Sequence, residues 1–209
     1  MYALIKREIQ DHLVYFIGAA AFSVVFIIIS VSLIHNYDPR YPEVFSIGFG
    51  GPAVIVIIAF CAMGATQMYT DKNRKISAFL STLAVSRNRI LLARIITGIL
   101  AILTLLVPLT ITAITLLRLY VPPVLIYPGM VFEISVVVFL MAFACYCIGL
   151  QTGWTSGKII PTLGGISLTC IFVPLLFIKG FGLHIVVILV LFIIASLLRT
   201  WHTFMTTSL

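Results

Sequence analysis

Six long apolar stretches, separated by short polar segments, constrain this chain more than any other feature of its sequence. Each stretch is long enough to cross the hydrocarbon core of a bilayer as a helix, which takes about 20 mostly apolar residues. Backbone groups in lipid must hydrogen-bond within their own segment, because no water is available there. We therefore predict an all-α membrane protein whose single transmembrane domain spans residues 1–209. Its six transmembrane helices are expected at Val14–Ile34, Ile47–Tyr69, Ile90–Leu117, Gly129–Leu150, Ile159–Ile178 and Leu183–Leu198.

Composition supports this class and argues against a nucleic-acid-binding protein. Hydrophobic residues make up 62% of the chain and charged residues only 9%, against about 25% charged residues in an average soluble domain. The formal net charge of +7 comes from basic residues that lie between the apolar stretches, where anionic lipid headgroups are their natural partners. Membrane lipid is therefore an expected partner, and nucleic acid is not.

The distribution of lysine and arginine predicts the orientation of the chain. Basic residues that flank transmembrane helices accumulate on the cytoplasmic side. An inside N-terminus places ten of them inside and three outside, so we expect a multi-pass protein of the plasma (inner) membrane with both termini in the cytoplasm. The inner group is Lys6, Arg7, Lys72, Arg74, Lys75, Arg87, Arg89, Arg94, Lys158 and Arg199, and the outer group is Arg40, Arg118 and Lys179.

The first 13 residues have the pattern of a short amphipathic helix. Ile5, Ile9 and Leu13 recur every fourth residue, while charged and amide side chains fill the positions between them. This pattern predicts an interfacial helix at residues 1–13, lying along the cytoplasmic membrane surface before the first span. The alternative is a helical extension of that span.

The longest charged interruption, residues 70–89, contains a second amphipathic pattern. Four apolar side chains recur at i, i+3, i+4 and i+7 and predict a short helix with one apolar face; they are Ile76, Phe79, Leu80 and Leu83. Asp71 is suited to cap the start of this helix, and Ser86 to cap the span that follows. A cytoplasmic helix between the second and third spans would offer its apolar face to a partner outside the bilayer.

This loop resembles the signature of the type-2 ABC exporter permeases. Asp71 stands where that family has an acidic residue, Leu80 and Leu83 fall in its leucine-rich stretch, and Val85-Ser86-Arg87 matches the turn that leads into the third span. Lys75 and Ala84 depart from the pattern, since they occupy the usual glycine and proline positions. The resemblance covers the whole plan of an interfacial helix, six spans and one long loop after the second span.

The resemblance implies a function and its partners. It makes the loop helix a coupling helix that binds a separate nucleotide-binding ATPase subunit through Ile76, Phe79, Leu80 and Leu83. A supporting role then falls to the rest of the loop, namely Asp71, Lys72, Arg74, Lys75, Ser86 and Arg87. The family works as two permease copies, or a permease and a homologue, with two ATPases that bind ATP and magnesium. The first, second and fifth spans line a path for a small or lipid-like substrate leaving the cytoplasm or inner leaflet.

Two other groups of residues could have a functional role but also have structural explanations. Phe60, Met63 and Gln67 share a face of the second span and are candidate pathway residues, although such a stripe is more typical of helix packing. Glu133 lies about one turn into the fourth predicted span and has either a structural ion pair with Arg118 or a role in proton coupling.

The sequence lacks the constellations that an enzyme or a metal site requires. The four cysteines and four histidines show no metal-ligand spacing, so we expect no metal, no cofactor and no catalytic residue in this chain. Two alternatives to the permease remain open on the sequence alone. One is a secondary transporter, or a channel or assembly subunit, that does not use ATP, and the other is an intramembrane enzyme.

Overall fold

The computed structural model describes residues 2–35, 58–71, 86–120, 128–154 and 183–206. Within these ranges every residue except His12 and Ser86 is helical, and there are no strands. The described residues form six helices, numbered here in chain order: α1 Tyr2–Asp11, α2 Leu13–His35, α3 at residues 58–71, α4 Arg87–Tyr120, α5 Pro128–Trp154 and α6 Leu183–Thr206.

Four of the six predicted spans are confirmed as long apolar helices. By length and composition, segments of α2, α4, α5 and α6 could each cross a membrane; they are Leu13–Ser32, Arg87–Leu116, Glu133–Gly153 and His184–Thr206. The second predicted span is seen as a helix in its later part, residues 58–69. Its earlier part, the whole of the fifth predicted span and the predicted coupling helix lie outside the described residues.

The N-terminal segment forms a helix of its own. Helix α1 ends at Asp11, His12 interrupts the helix, and α2 begins at Leu13. Helix α1 packs mainly against α4 and touches α2. A separate helix is therefore observed at the N-terminus, and its position along the membrane surface stays a prediction.

The long helices form a bundle in which α4 and α5 are the most enclosed. Neighbouring pairs are α2 with α4, α4 with α5, and α5 with α6. One apolar cluster runs through this bundle and includes Met68 of α3, Ile102 of α4, Leu150 of α5 and Leu189 of α6. Helix α2 keeps a long apolar face exposed, as expected for a surface that meets lipid or another chain.

Helices α3 and α5 approach so closely that only glycine fits at the crossing. A Cβ atom at Gly149 would lie 2.1 Å from the backbone oxygen of Cys61, one at Gly64 would lie 2.4 Å from that of Tyr146, and one at Gly153 would lie 2.2 Å from that of Ala65. Gly149 and Gly153 are four residues apart on one helix face, the G-x-x-x-G spacing that lets membrane helices pack backbone to backbone. This crossing holds α3 rigidly against α5.

Enlarging Gly149 is expected to separate these two helices. Gly149→Val places branched carbon atoms against the Cys61 carbonyl, where backbone rather than a movable side chain must yield, and we expect a loss of about 3 kcal/mol or more of folding free energy. Gly18→Val on α2 is the matched control, because no atom lies within 4 Å of the position its Cβ would take. Thermal unfolding of the purified proteins in mild detergent measures the difference, and equal midpoints for the two variants would rule out the tight crossing.

Candidate functional site

A buried arginine near the start of α4 is the centre of the main polar cluster in the described helices. Arg94 has 2% of its surface exposed, and Asp71, the last described residue of α3, has none exposed. The Arg94 Nη1 atom donates a hydrogen bond of 2.8 Å to Asp71 Oδ2. The same nitrogen lies 3.5 Å from the sulfur of Met68. This ion pair joins α3 and α4, the two helices that flank residues 72–85 in the sequence.

Helix α1 contributes a second carboxylate to Arg94. The guanidinium Nε donates to Glu8 Oε1 at 3.5 Å, and Glu8 Oε2 is 3.7 Å from His12 Nε2. The Glu8 side chain is 14% exposed, so this contact lies nearer the surface than the contact with Asp71. The Cζ atom of Arg94 also lies 5.9 Å from the centre of the Phe204 ring of α6, within the range of a cation–π interaction.

Tyr146 of α5 extends the cluster on the other side of Arg94. Its ring packs onto Gly98 of α4, where an added Cβ would lie 2.3 Å from the ring. The Tyr146 hydroxyl lies 2.6 Å from Gln67 Oε1 and 2.9 Å from the backbone oxygen of Arg94. Because the hydroxyl carries one proton, it can donate to only one of these acceptors at a time. The Gln67 Nε2 atom is buried without a hydrogen-bond partner among the described residues.

The cluster therefore connects five helices through one residue, Arg94, whose side chain meets Glu8, Asp71 and Phe204 and whose backbone oxygen meets Tyr146. Glu8 comes from α1, Asp71 from α3, Arg94 from α4, Tyr146 from α5 and Phe204 from α6. The two carboxylates compensate the charge of the buried guanidinium. A buried carboxylate without this partner would be strongly unfavourable. The arrangement suits a rigid junction at one end of the bundle.

The structure gives a location to only part of the predicted site. Asp71 is helical and its carboxylate is bound to Arg94, a role that the sequence pattern did not indicate. Ser86 precedes α4 as predicted, and its backbone oxygen accepts hydrogen bonds from the amides of Arg89 and Ile90. Arg87 is the first residue of α4. The remaining predicted partner-binding and loop positions lie outside the described residues; they are Lys72, Arg74, Lys75, Ile76, Phe79, Leu80 and Leu83.

The candidate pathway residues are enclosed by protein within the described helices. Phe60 is 4% exposed, Met63 is not exposed and Gln67 is 2% exposed. Glu133, at the start of its span, is exposed. The role of each in transport stays a prediction.

Arg94, Glu8, Tyr146 and Gly98 were not predicted as site residues from the sequence. Each has an ordinary explanation when it is considered alone: Arg94 as one more inner basic residue, and Glu8 as part of the solvated face of an interfacial helix. A usable signal was nevertheless present, because an arginine inside an apolar span requires a buried acidic partner. Asp71 and Glu8 are among the few acidic residues at that end of the bundle.

His12 gives the junction between α1 and α2 a defined dependence on pH. Burial lowers the pKa of His12 below its usual 6.5, outweighing the attraction of the Glu8 and Asp11 carboxylates, and the Arg94 charge lowers it further. The unfolded chain therefore takes up a proton at a higher pH than the folded chain does. We expect stability to be fully present above pH 6.5 and to fall as the pH decreases from there towards the lower pKa of the folded state.

This dependence is measured from thermal unfolding midpoints between pH 8 and pH 5. His12→Gln should flatten the change in that window, while His202→Gln, at an exposed position of α6, should retain it. An unchanged pH profile in His12→Gln would show that His12 does not cause the loss.

No family model, no curated protein sequence and no solved structure matches the chain.

Proposed function

We propose that this chain is the membrane-spanning permease subunit of an ATP-driven exporter of the ABC type. The loop sequence at residues 70–89 supports the proposal, with its apolar stripe of four residues followed by Val85-Ser86-Arg87. The partner is a separate ATPase subunit, and the working unit contains two permeases, identical or homologous. The cargo is a small or lipid-like molecule moved from the cytoplasm or inner leaflet.

The observation that carries the proposal furthest is the buried ion pair at the base of the loop. Asp71 and Arg94 lie on either side of residues 72–85 and are bonded at 2.8 Å with almost no exposure. The two helices that flank this segment are therefore tied to each other. Force applied to the segment therefore reaches both helices at once, which is what a docking element that drives a membrane domain requires.

Further close contacts would carry this force from α3 and α4 to α5. Helix α3 is locked to α5 by the glycine crossing at Gly149 and Gly153, and Tyr146 of α5 contacts the backbone of Arg94. Nucleotide bound by the ATPase pair supplies the energy for closure. This chain contributes the docking surface, the anchored loop and a bundle with two packings of similar energy.

The charge distribution favours this mechanism over coupling to an ion gradient. Within the four spans that the structure describes, the only carboxylate is Glu133, at the first position of its span and exposed. A transporter driven by ions is expected to carry carboxylates near the middle of the membrane.

Purification of the tagged chain from its native membranes tests the function. We expect a soluble-type ATPase subunit to co-purify in mild detergent, at about one copy per permease. The stripped complex should lose ATP hydrolysis and regain it when that subunit is added back. Recovery of the chain alone under several mild detergents would contradict the proposal.

A further inference from the structure

Three sulfur-containing side chains pack together where α3 crosses α5. Cys61 of α3 forms a buried cluster with Met141, Cys145 and Ile148 of α5, and Phe192 of α6 packs against it. The exposed fractions are 8% for Cys61, 1% for Cys145 and 3% for Met141. None of the described cysteines is in a disulfide. Two thiols and one thioether are therefore the only side-chain groups in this cluster that are not hydrocarbon.

The helix crossing brings these sulfur-containing residues to one face of α5. Met141 and Cys145 are four residues apart, so they lie one above the other on the same face of the helix. Gly149 continues this row after four more residues, and a Cβ atom there would lie 2.1 Å from the backbone oxygen of Cys61. The face of α5 that carries both sulfur-containing residues is thus the face that meets α3 at Cys61.

The chemistry of these donors determines which metal ions could bind. Thiolate and thioether ligands select soft ions such as Cu⁺. A Zn²⁺ site takes four nitrogen, oxygen or thiolate ligands, and no three histidine, cysteine or carboxylate side chains among the described residues are grouped to hold a metal ion. A monovalent ion also suits apolar surroundings. It replaces the proton of one thiol, so the ion and the thiolate together carry no net charge.

We propose that Cys61, Cys145 and Met141 form a binding site for a soft monovalent metal ion of the Cu⁺ class. The ion bridges α3 and α5, and binding therefore stabilises the folded bundle. The site involves neither the coupling loop nor an ATPase, so it does not depend on the proposed function. Cysteine spacing in the sequence does not reveal it, because the donors come from two helices and one of them is a methionine.

Silver binding to the full chain tests the site, because Ag⁺ shares the charge of Cu⁺ and its preference for sulfur but is stable in air. Cys170 lies outside the described residues, so Cys170→Ala is used to remove its thiol. The purified protein is loaded with Ag⁺ in chloride-free mild detergent and desalted with an excess of a monothiol competitor. An ion held by a single cysteine is lost to the competitor, and we expect about one silver ion per chain to be retained.

Substitutions in the Cys170→Ala chain identify the donors. Cys61→Ala and Cys145→Ala should each lower the retained silver at least about tenfold, an effect already typical of losing a residue that only supports a metal ligand. Met141→Leu preserves volume and apolar character and should also weaken retention. Cys147→Ala is the matched control and should retain the ion, because Cys147 is buried in the main apolar cluster instead.

Three outcomes would overturn the proposal. Full retention by Cys61→Ala would show that α3 supplies no ligand. An equal loss in Cys147→Ala would show that silver does not distinguish this cluster from other buried thiols. If the variants fail to fold, X-ray absorption by silver bound to the Cys170→Ala chain decides the matter. Two or three sulfur neighbours are expected, and a single sulfur neighbour would contradict the site.

Discussion

Replacing Arg94 with methionine is expected to lower the free energy of unfolding by about 3–5 kcal/mol, the usual effect of removing one partner from a buried ion pair. Asp71 would then remain fully buried without its guanidinium partner, while Glu8, nearer the surface, could regain water. The packing of Arg94 against Phe204 and Met68 would change as well. Denaturant titration in mild detergent measures the loss, together with the fraction of protein that elutes as a single species.

Two further variants show whether charge is the cause. Arg89→Met, at an exposed position of the same helix, should change stability by no more than about 0.5 kcal/mol. The double variant Asp71→Leu with Arg94→Met removes both charges and should recover part of the loss, because an apolar pair leaves no unpaired buried ion. If Arg94→Met alone were as stable as the unmodified chain, the anchoring role of Arg94 would be contradicted.

Phe79→Asp is expected to abolish binding of the ATPase and transport while the membrane fold survives. Phe79 is central in the predicted apolar stripe, between Ile76 and Leu83, and an aspartate there would bring an unpaired charge into an apolar interface. A penalty of several kcal/mol corresponds to more than a tenfold loss of affinity. Insertion and dimerisation should remain normal, since the predicted helix lies outside the hydrocarbon core. Export of a reporter substrate and ATPase activity of the complex measure the effect.

Ala78→Asp is the matched control for this variant. It adds the same charge one residue away, on the opposite and solvated side of the predicted helix, and should bind the ATPase normally. If Phe79→Asp instead prevents insertion, the stripe packs against the bundle rather than against a partner.

The apolar helices could be predicted because their signal is local. A run of about 20 apolar residues has few alternatives in a membrane, and the predictions for α2, α4, α5 and α6 agree with the observed helices to within a few residues at most ends. The predicted interruption at residues 70–89 was too long at both ends, because α3 continues to Asp71 and α4 begins at Arg87. Apolar content marks a span well but does not mark where a charged residue continues the helix.

The buried arginine itself signals a polar cluster, but its partners could not be predicted because they depend on which helices meet. Glu8 and Arg94 are separated by 86 residues, and nothing in either local pattern indicates that α1 packs on α4. The glycine crossing could have been predicted more easily, since Gly149 and Gly153 have the recognisable G-x-x-x-G spacing in the sequence. Asp71 was assigned to the loop because a carboxylate next to a charged segment is typical of a helix cap, whereas burial beside Arg94 decides its actual contact.

The amount of ATPase retained by the tagged chain tests the central claim most directly. The same pull-down is run on the unmodified chain, on Phe79→Asp and on Ala78→Asp, with bound ATPase quantified per permease in mild detergent. We predict about one ATPase per permease for the unmodified chain and for Ala78→Asp, and a decrease of at least about tenfold for Phe79→Asp. Equal retention by all three chains, or no ATPase on any of them, would contradict docking through this loop.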